Sequence, residues 1–209
     1  MQMAPTTAKD RPGVPSKKLK LMVGRWSLIK TVNVDGPNFA PGYEAKNHDI
    51  AQRFEGKEFV PDPNQPCIGG GVPGMMLAPA FWIAANSASL TVLAGDGPTI
   101  RFIWLDKPHT PEDKLFPAWG GDSVAHWDGN TLIVDTIGLK LGNEIAYGMR
   151  LDDDKAHIVE RFHSGSPNSL EITTTLQSSK ALTRPWTYRS EFKRVSPDAP
   201  ITWCPPHRG

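Results

Sequence analysis

The fold is decided by residues 122–137, which read DSVAHWDGNTLIVDTI. Two runs in which apolar and polar residues alternate flank Asp128-Gly129-Asn130, and this combination predicts a β-hairpin with a two-residue turn. The turn is either Asp128-Gly129 or Gly129-Asn130. Both choices pair odd positions before the turn with even positions after it, so the faces of the hairpin do not depend on the choice.

The two faces of this hairpin differ in composition, because side chains alternate along a strand. One face is mostly apolar and typical of packing: Ser123, Ala125, Trp127, Leu132, Val134 and Thr136. The other face is mixed: Asp122, Val124, His126, Ile133, Asp135 and Ile137. Asp122 and Asp135 are opposite or diagonal neighbours there. They could share acid and base roles if the mixed face lines the interior, or belong to an ordinary solvent-exposed face.

Strand patterns continue along most of the chain at short spacing, which favours an antiparallel sheet that closes or curls to protect its edges. Strands are predicted at 22–34, 90–94, 100–105, 123–127, 132–137, 157–163, 170–176 and 186–195. In the first of these strands, Trp26, Leu28, Val32 and Val34 are expected on one face. The one predicted helix is Tyr43–Phe54, and the irregular stretch 61–79 is long enough to suggest a functional loop.

We therefore expect an all-β fold, an antiparallel barrel or curled sheet of lipocalin-like character. Residues 1–20 are expected to form an extended N-terminal arm, and residues 21–209 a single β-rich domain. The alternative is an α+β cone with its pocket between helix and sheet. With 19 glycines and 20 prolines in 209 residues, the composition suits a loop-rich β protein.

Charge and hydropathy exclude some partners. The formal net charge of +1 leaves no excess of positive charge to bind the phosphates of a nucleic acid. No apolar run approaches the roughly 20 residues that span a bilayer, so membrane insertion is not expected. The chain has no phosphate-binding loop, no dinucleotide-binding fingerprint and no histidine pair at metal-ligand spacing, so neither a cofactor nor a metal is predicted.

Glu160 is a second candidate acid, because it shares one face of its predicted strand with Ile158 and Phe162. If that face packs inward, the carboxylate needs a buried cationic partner. The candidates for this partner are Arg101, Arg150 and Arg184.

The leading functional hypothesis is a cofactor-independent lyase, isomerase, cyclase or dehydratase that acts on a small apolar or aromatic substrate. Asp122 and Asp135 would share the acid and base roles, with His109 or His126 as relay and Glu160 as a further candidate. The predicted substrate-binding residues are Trp104, Trp119, Trp127, His157 and Arg161. The alternatives are a non-catalytic carrier of a similar ligand, or an interaction module that forms a homodimer through its arm.

Residues 119–136, WGGDSVAHWDGNTLIVDT, resemble a widespread and poorly characterised bacterial family with the motif G-x-S-x-G-x-W-E/D-G-D-T-L-V-V-D-T. The resemblance extends in order through residues 62–76, 101–109, 151–162 and 184–186. Where the family has a glycine before the tryptophan, this chain has Ala125-His126. The resemblance implies neither a reaction nor a cofactor.

Cys67 and Cys204 are the two cysteines of the chain. They are either reduced thiols or one long-range disulfide, and a disulfide requires an oxidising compartment. Many members of the resembling family look exported, which favours the bridge. A bridged chain is expected to be periplasmic or secreted, and a reduced one cytoplasmic.

Overall fold

Nine strands close into a barrel in the computed structural model of the chain, which describes residues 15–34, 38–43, 45, 70–94, 99–146 and 149–198. The elements are α1 (Lys17–Met22), β1 (Gly24–Asn33), β2 (Ala80–Ala85), β3 (Ser89–Ala94), β4 (Ile100–Leu105), β5 (Asp122–Asp128), β6 (Thr131–Ile137), β7 (Glu144–Ala146), β8 (Met149–Arg150), β9 (His157–Ser166), β10 (Ser169–Gln177) and β11 (Trp186–Val195), with 3-10 turns at Gly74–Leu77 and Glu112–Lys114. The predicted all-β barrel is thus confirmed.

The order of strands around the barrel is β1-β11-β10-β9-β6-β5-β4-β3-β2, and β2 pairs with β1 to close it. All neighbours are antiparallel except β4 and β5, which run parallel. A parallel pair needs a crossover between its strands. Residues 106–121 form this crossover, and they return the chain to the end of the barrel at which β4 begins. The remaining strands, β7 and β8, form a separate two-stranded ribbon.

The hairpin of β5 and β6 closes with Gly129-Asn130 as its turn, because Asp128 pairs with Thr131. Its apolar face points into the barrel, where Ala125, Leu132 and Val134 belong to the core. This orientation follows from burial, since turning the hairpin over would bury two aspartates and a histidine and would expose Ala125, Leu132 and Val134.

β1 departs from strict alternation. A β-bulge between Leu28 and Lys30 inserts one extra residue. After the bulge, the side chains on the same face as Leu28 are therefore those of Thr31 and Asn33. The expectation that Val32 and Val34 share the face of Trp26 is therefore wrong. Both valines are exposed, at 42% and 60%, whereas Trp26 is fully buried.

α1 covers the end of the barrel at which β1 begins. Its residues Leu19 and Met22 are buried, so residues 17–20 of the predicted arm are helical rather than extended. Arg194 of β11 holds the helix in place: its guanidinium donates to the backbone carbonyl oxygens of Leu21 and Val23 and lies 4.3 Å from the ring centroid of Trp26.

Several sequence predictions fall outside the described residues. They are the arm at 1–14, the main part of the helix at 43–54, and both cysteines. Tyr43 and Ala45 are helical. The disulfide, the compartment and the arm-mediated homodimer stay predictions. Within the described part of the chain, no helix has the length and apolar character that a transmembrane span requires.

Candidate functional site

A cavity of about 260 Å³ lies at the end of the barrel opposite α1. Its lining comes from β1, the 3-10 turn before β2, β7 and β11: Leu28, Thr31, Asn33, Gly74, Leu77, Glu144, Trp186 and Tyr188. The bulge in β1 is what directs Thr31 and Asn33 into this space. Leucine side chains and the Trp186 ring give the cavity an apolar wall, while the threonine, asparagine, glutamate and tyrosine supply its polar groups.

The segment 70–79 covers this end of the barrel. The amide of Asn143 donates to the carbonyl oxygens of Val72 and Trp119, at 2.9 and 3.0 Å, and so ties the segment to two loops. Gly74 packs so closely on β7 that a Cβ there would lie 2.8 Å from the backbone oxygen of Glu144. The described part of the predicted functional loop therefore forms part of the cavity wall.

A buried ion pair lies in the barrel interior on the same side. Arg101 and Glu160 are both fully buried, and Nη2 of the arginine donates to Oε2 of the glutamate. The guanidinium also donates to Ser123 Oγ at 3.0 Å and to Thr136 Oγ1 at 2.8 Å. Of the three arginines that the sequence offers as partner for Glu160, the structure selects Arg101, because its strand β4 directs the side chain inward.

Tyr188 connects the ion pair with the cavity. Thr174 of β10 pairs with Glu160 of β9 on one side and with Tyr188 of β11 on the other, so the three residues lie side by side across neighbouring strands. All three are buried. Burial raises the pKa of the Tyr188 hydroxyl, and the negative charge of Glu160 raises it further. The hydroxyl therefore keeps its proton at neutral pH and can act as a hydrogen-bond donor.

Three buried polar atoms of this interior cluster have no hydrogen-bond partner among the described residues: Arg101 Nη1, Glu160 Oε1 and Tyr188 Oη. Thr174 lies near the tyrosine hydroxyl, but the two side chains do not form a hydrogen bond of normal geometry. Each unsatisfied buried group costs roughly 1–3 kcal/mol. All three atoms belong to neighbouring side chains in the barrel interior.

A second cluster lies on the outer face of β5, β6 and β9. His109 of the crossover has Nδ1 at 3.0 Å from Asp122 Oδ2 and Nε2 at 2.9 Å from Asp135 Oδ1. His157 Nε2 lies 2.9 Å from the same oxygen of Asp135. Because a carboxylate oxygen only accepts, the imidazole of His109 makes both hydrogen bonds when both of its nitrogens carry protons.

This outer cluster is partly solvent-exposed, with side-chain exposures of 23% for His109, 16% for Asp122, 35% for Asp135 and 32% for His157. Of the two alternatives for the mixed face of the hairpin, the structure therefore shows the outward one, since the apolar face lines the barrel interior. The two aspartates do lie diagonally across β5 and β6, since Asp122 pairs with Ile137 and Asp135 with Val124. Their catalytic role stays a prediction.

The other predicted site residues are scattered. His126 and Arg161 are exposed on the outer face. Trp104 is 39% exposed there and stacks on Phe102. Trp119 lies in the crossover, with Lys140 Nζ 4.8 Å from its ring centroid.

Trp127 packs partly on the core and lines a groove of about 400 Å³ beside α1. None of the three tryptophans predicted to bind substrate, Trp104, Trp119 and Trp127, is among the described residues that line the cavity opposite α1. Trp186 lines it instead, with Tyr188 beside it on β11. Trp186 and Tyr188 lie with Phe192 on the buried side of β11, and the alternation of the strand accounts for this side but does not reveal the empty space next to it.

No group of three or more histidine, cysteine, aspartate or glutamate side chains among the described residues is placed to hold a metal ion, the outer cluster included. Comparison with known protein families finds no matching family model, and comparison with curated proteins finds no similar one. The resemblance of residues 119–136 to a bacterial family stays a prediction.

Proposed function

We propose that this protein binds a small, predominantly apolar ligand in the cavity between β1, β11 and the segment 70–79. The observation that carries the proposal is the apolar wall of Leu28, Leu77 and Trp186 next to the buried hydroxyl of Tyr188. Ligand sites in proteins commonly combine such a wall with a few polar groups that orient the ligand, and they lie at the mouths of barrels.

The volume of the cavity limits the size of the ligand. Drug-sized ligands occupy pockets of about 300–1,000 Å³, whereas an apolar cavity of about 150 Å³ already takes benzene. A cavity of about 260 Å³ thus suits one substituted ring or an aliphatic molecule of similar size. This supports the predicted class of small apolar or aromatic ligand.

Toluene is a suitable first probe, because it is a single apolar ring. We expect the indole resonance of Trp186 in ¹⁵N-labelled protein to shift saturably on titration with toluene. Leu77→Trp should weaken binding at least about tenfold, since the larger side chain fills the space in which the ring would lie. The matched control is Leu141→Trp, because Leu141 is 46% exposed and is not part of the lining.

Two results would contradict the proposal. One is an equal affinity for toluene in Leu77→Trp and in the wild type. The other is a set of shifts centred on Trp127 and α1, which would place the ligand in the groove at the opposite end of the barrel.

A second candidate function is acid–base catalysis at the outer cluster, as a cofactor-independent lyase or isomerase. The observation that favours it is the imidazole of His109 held between the carboxylates of Asp122 and Asp135. Such an arrangement can pass a proton between two oxygens through one ring. Phe102 and Trp104 are exposed on the neighbouring strand β4 and offer an apolar surface beside the cluster.

Asp122→Asn tests this candidate, because the two side chains are nearly isosteric. In an assay that follows turnover of small aromatic and alicyclic substrates, we expect kcat to fall by roughly 10²–10⁴. Asp128→Asn is the matched control, since Asp128 is exposed at the other end of the same strand. Equal turnover by both variants would remove the catalytic role of Asp122.

A further inference from the structure

The polar cluster of Arg101, Glu160 and Tyr188 adjoins the cavity through Tyr188, which is a lining residue, whereas the two charged residues are not. Glu160 contacts Arg101 through Oε2, and Arg101 contacts Glu160 through Nη2, which leaves Oε1 and Nη1 without protein partners. Each of these two atoms is bonded to the same carbon as an atom of the ion pair, so both lie beside the pair. Tyr188, whose hydroxyl is also without a partner, lines the cavity directly.

We infer that Arg101, Glu160 and Tyr188 form a polar subsite of the cavity, and that it takes the hydroxyl group of a neutral and otherwise apolar ligand, such as a phenol or an alcohol. This inference rests on the proposed function, because it assigns a chemical class to the ligand of the same cavity. It adds the group by which that ligand is distinguished from a plain hydrocarbon.

The charges of the subsite favour a neutral group. Arg101 and Glu160 together carry no net charge, so neither an anion nor a cation finds an unbalanced opposite charge. A carboxylate ligand would face the carboxylate of Glu160, and an ammonium ligand would face the guanidinium of Arg101. Bringing either ion into this buried site costs desolvation that no unpaired protein charge offsets.

The donor and acceptor pattern favours a hydroxyl among neutral groups. Glu160 Oε1 only accepts, Arg101 Nη1 only donates, and the Tyr188 hydroxyl donates or accepts. A ligand hydroxyl can donate to the glutamate while it accepts from the arginine or the tyrosine. A carbonyl or ether oxygen can only accept, and would leave Glu160 Oε1 unsatisfied.

The test compares three probes that share one ring: toluene, phenol and benzoate. Their dissociation constants are measured at pH 7 from the shift of the Trp186 indole resonance. Because one neutral hydrogen bond contributes about 1 kcal/mol, phenol should bind wild-type protein about fivefold more tightly than toluene. Benzoate should bind at least about tenfold more weakly than phenol, owing to its charge.

The variant Tyr188→Phe removes one member of the subsite and keeps the ring. The ratio of the toluene and phenol dissociation constants should fall toward 1 in this variant. Tyr43→Phe is the matched control, because the Tyr43 hydroxyl already donates to the Arg150 carbonyl oxygen at 2.8 Å and is not part of the lining. The ratio in this control should equal that of the wild type.

The outcomes separate the two proposals. If toluene and phenol bind equally well, or if Tyr188→Phe keeps the full preference for phenol, the hydroxyl subsite is wrong while the apolar cavity stands. If benzoate binds most tightly, the subsite recognises an anion and the inference is wrong. If no probe binds to the cavity, the proposed function fails, and the subsite fails with it.

Discussion

Asp135 and Thr136 are neighbours on β6, yet each belongs to a different polar cluster on opposite sides of the barrel wall. Asp135 faces outward and contacts His109 and His157, whereas Thr136 faces inward and accepts a hydrogen bond from Arg101. The outer and inner clusters are therefore separated by the thickness of one sheet. A displacement of this part of β6 would disturb both clusters.

The buried ion pair should be strongly destabilising when one partner is removed. Arg101→Met leaves the carboxylate of Glu160 buried without a counter-charge, so we expect the free energy of unfolding to fall by about 3–5 kcal/mol. Urea denaturation measures this loss. In the double variant Arg101→Met/Glu160→Leu no charge is left buried, and part of the lost stability should return. If the double variant loses as much free energy of unfolding as the two single variants together, this account is contradicted.

His109 should fix the crossover to the barrel wall. In His109→Ala at least one hydrogen bond to a carboxylate is lost, whichever ring nitrogen carries the proton, which predicts a decrease in the free energy of unfolding of about 1–3 kcal/mol. Hydrogen exchange should become faster in residues 107–121 before it changes elsewhere. His126→Ala serves as the control, because His126 is exposed on the same outer face of β5. Similar exchange rates in the two variants would show that His109 does not hold the crossover.

Asp153 should make the free energy of unfolding depend on pH, with a loss of stability in acid. Burial raises the pKa of this carboxyl, but hydrogen bonds from Ser178 Oγ and from the backbone amides of Lys155 and Lys180 outweigh burial and lower it. A pKa below that of the unfolded chain means that the ionised form stabilises the fold above about pH 4, and that this contribution disappears as the pH falls further.

The measurement for Asp153 is urea denaturation of the wild type and Asp153→Asn at pH 6 and pH 3. At pH 6 the variant should be less stable by about 1–3 kcal/mol. The difference should shrink at pH 3, because this pH lies below the pKa of the carboxyl in the unfolded chain, about 3.9. A difference that stays constant between the two pH values would contradict the assigned shift.

Arg194 should hold α1 on the barrel. Arg194→Ala removes the donors for the carbonyl oxygens of Leu21 and Val23, so we expect the free energy of unfolding to fall by about 1–3 kcal/mol. Amide exchange in residues 17–23 should increase most. Lys193→Ala, at the neighbouring exposed position, should change the stability by no more than about 0.5 kcal/mol. Unchanged exchange in α1 would remove this role from Arg194.

The sequence predicts the barrel well where the determining signals are local. The turn signal of Asp128-Gly129-Asn130 and the alternation on both sides of it specify the β5–β6 hairpin without any other part of the chain, although the choice between two turns comes from the structure. The pairing of Glu160 with a buried arginine also follows from its two apolar neighbours on the strand. In these cases burial and polarity point to the same face.

The sequence does not predict the features that position the candidate site. The bulge at Leu28–Lys30 shifts the inward face of β1, yet an inserted residue leaves no mark on composition. The parallel pairing of β4 and β5 depends on the path of the crossover, and only that path brings His109 to Asp122. The cavity itself is a volume left between packed elements, which alternation along the Tyr188 strand cannot reveal.

The pairing of β1 with β11 has a consequence for how the chain folds. Arg25 lies opposite Val195, so the barrel closes between strands that are almost the whole described chain apart. Such long-range pairing slows folding, because the loop entropy is lost before the contacts form. During synthesis, β10 and β1 each keep one open edge until residues 186–195 have left the ribosome, and unpaired edges recruit other chains. The nascent protein is therefore most prone to self-association just before β11 is made.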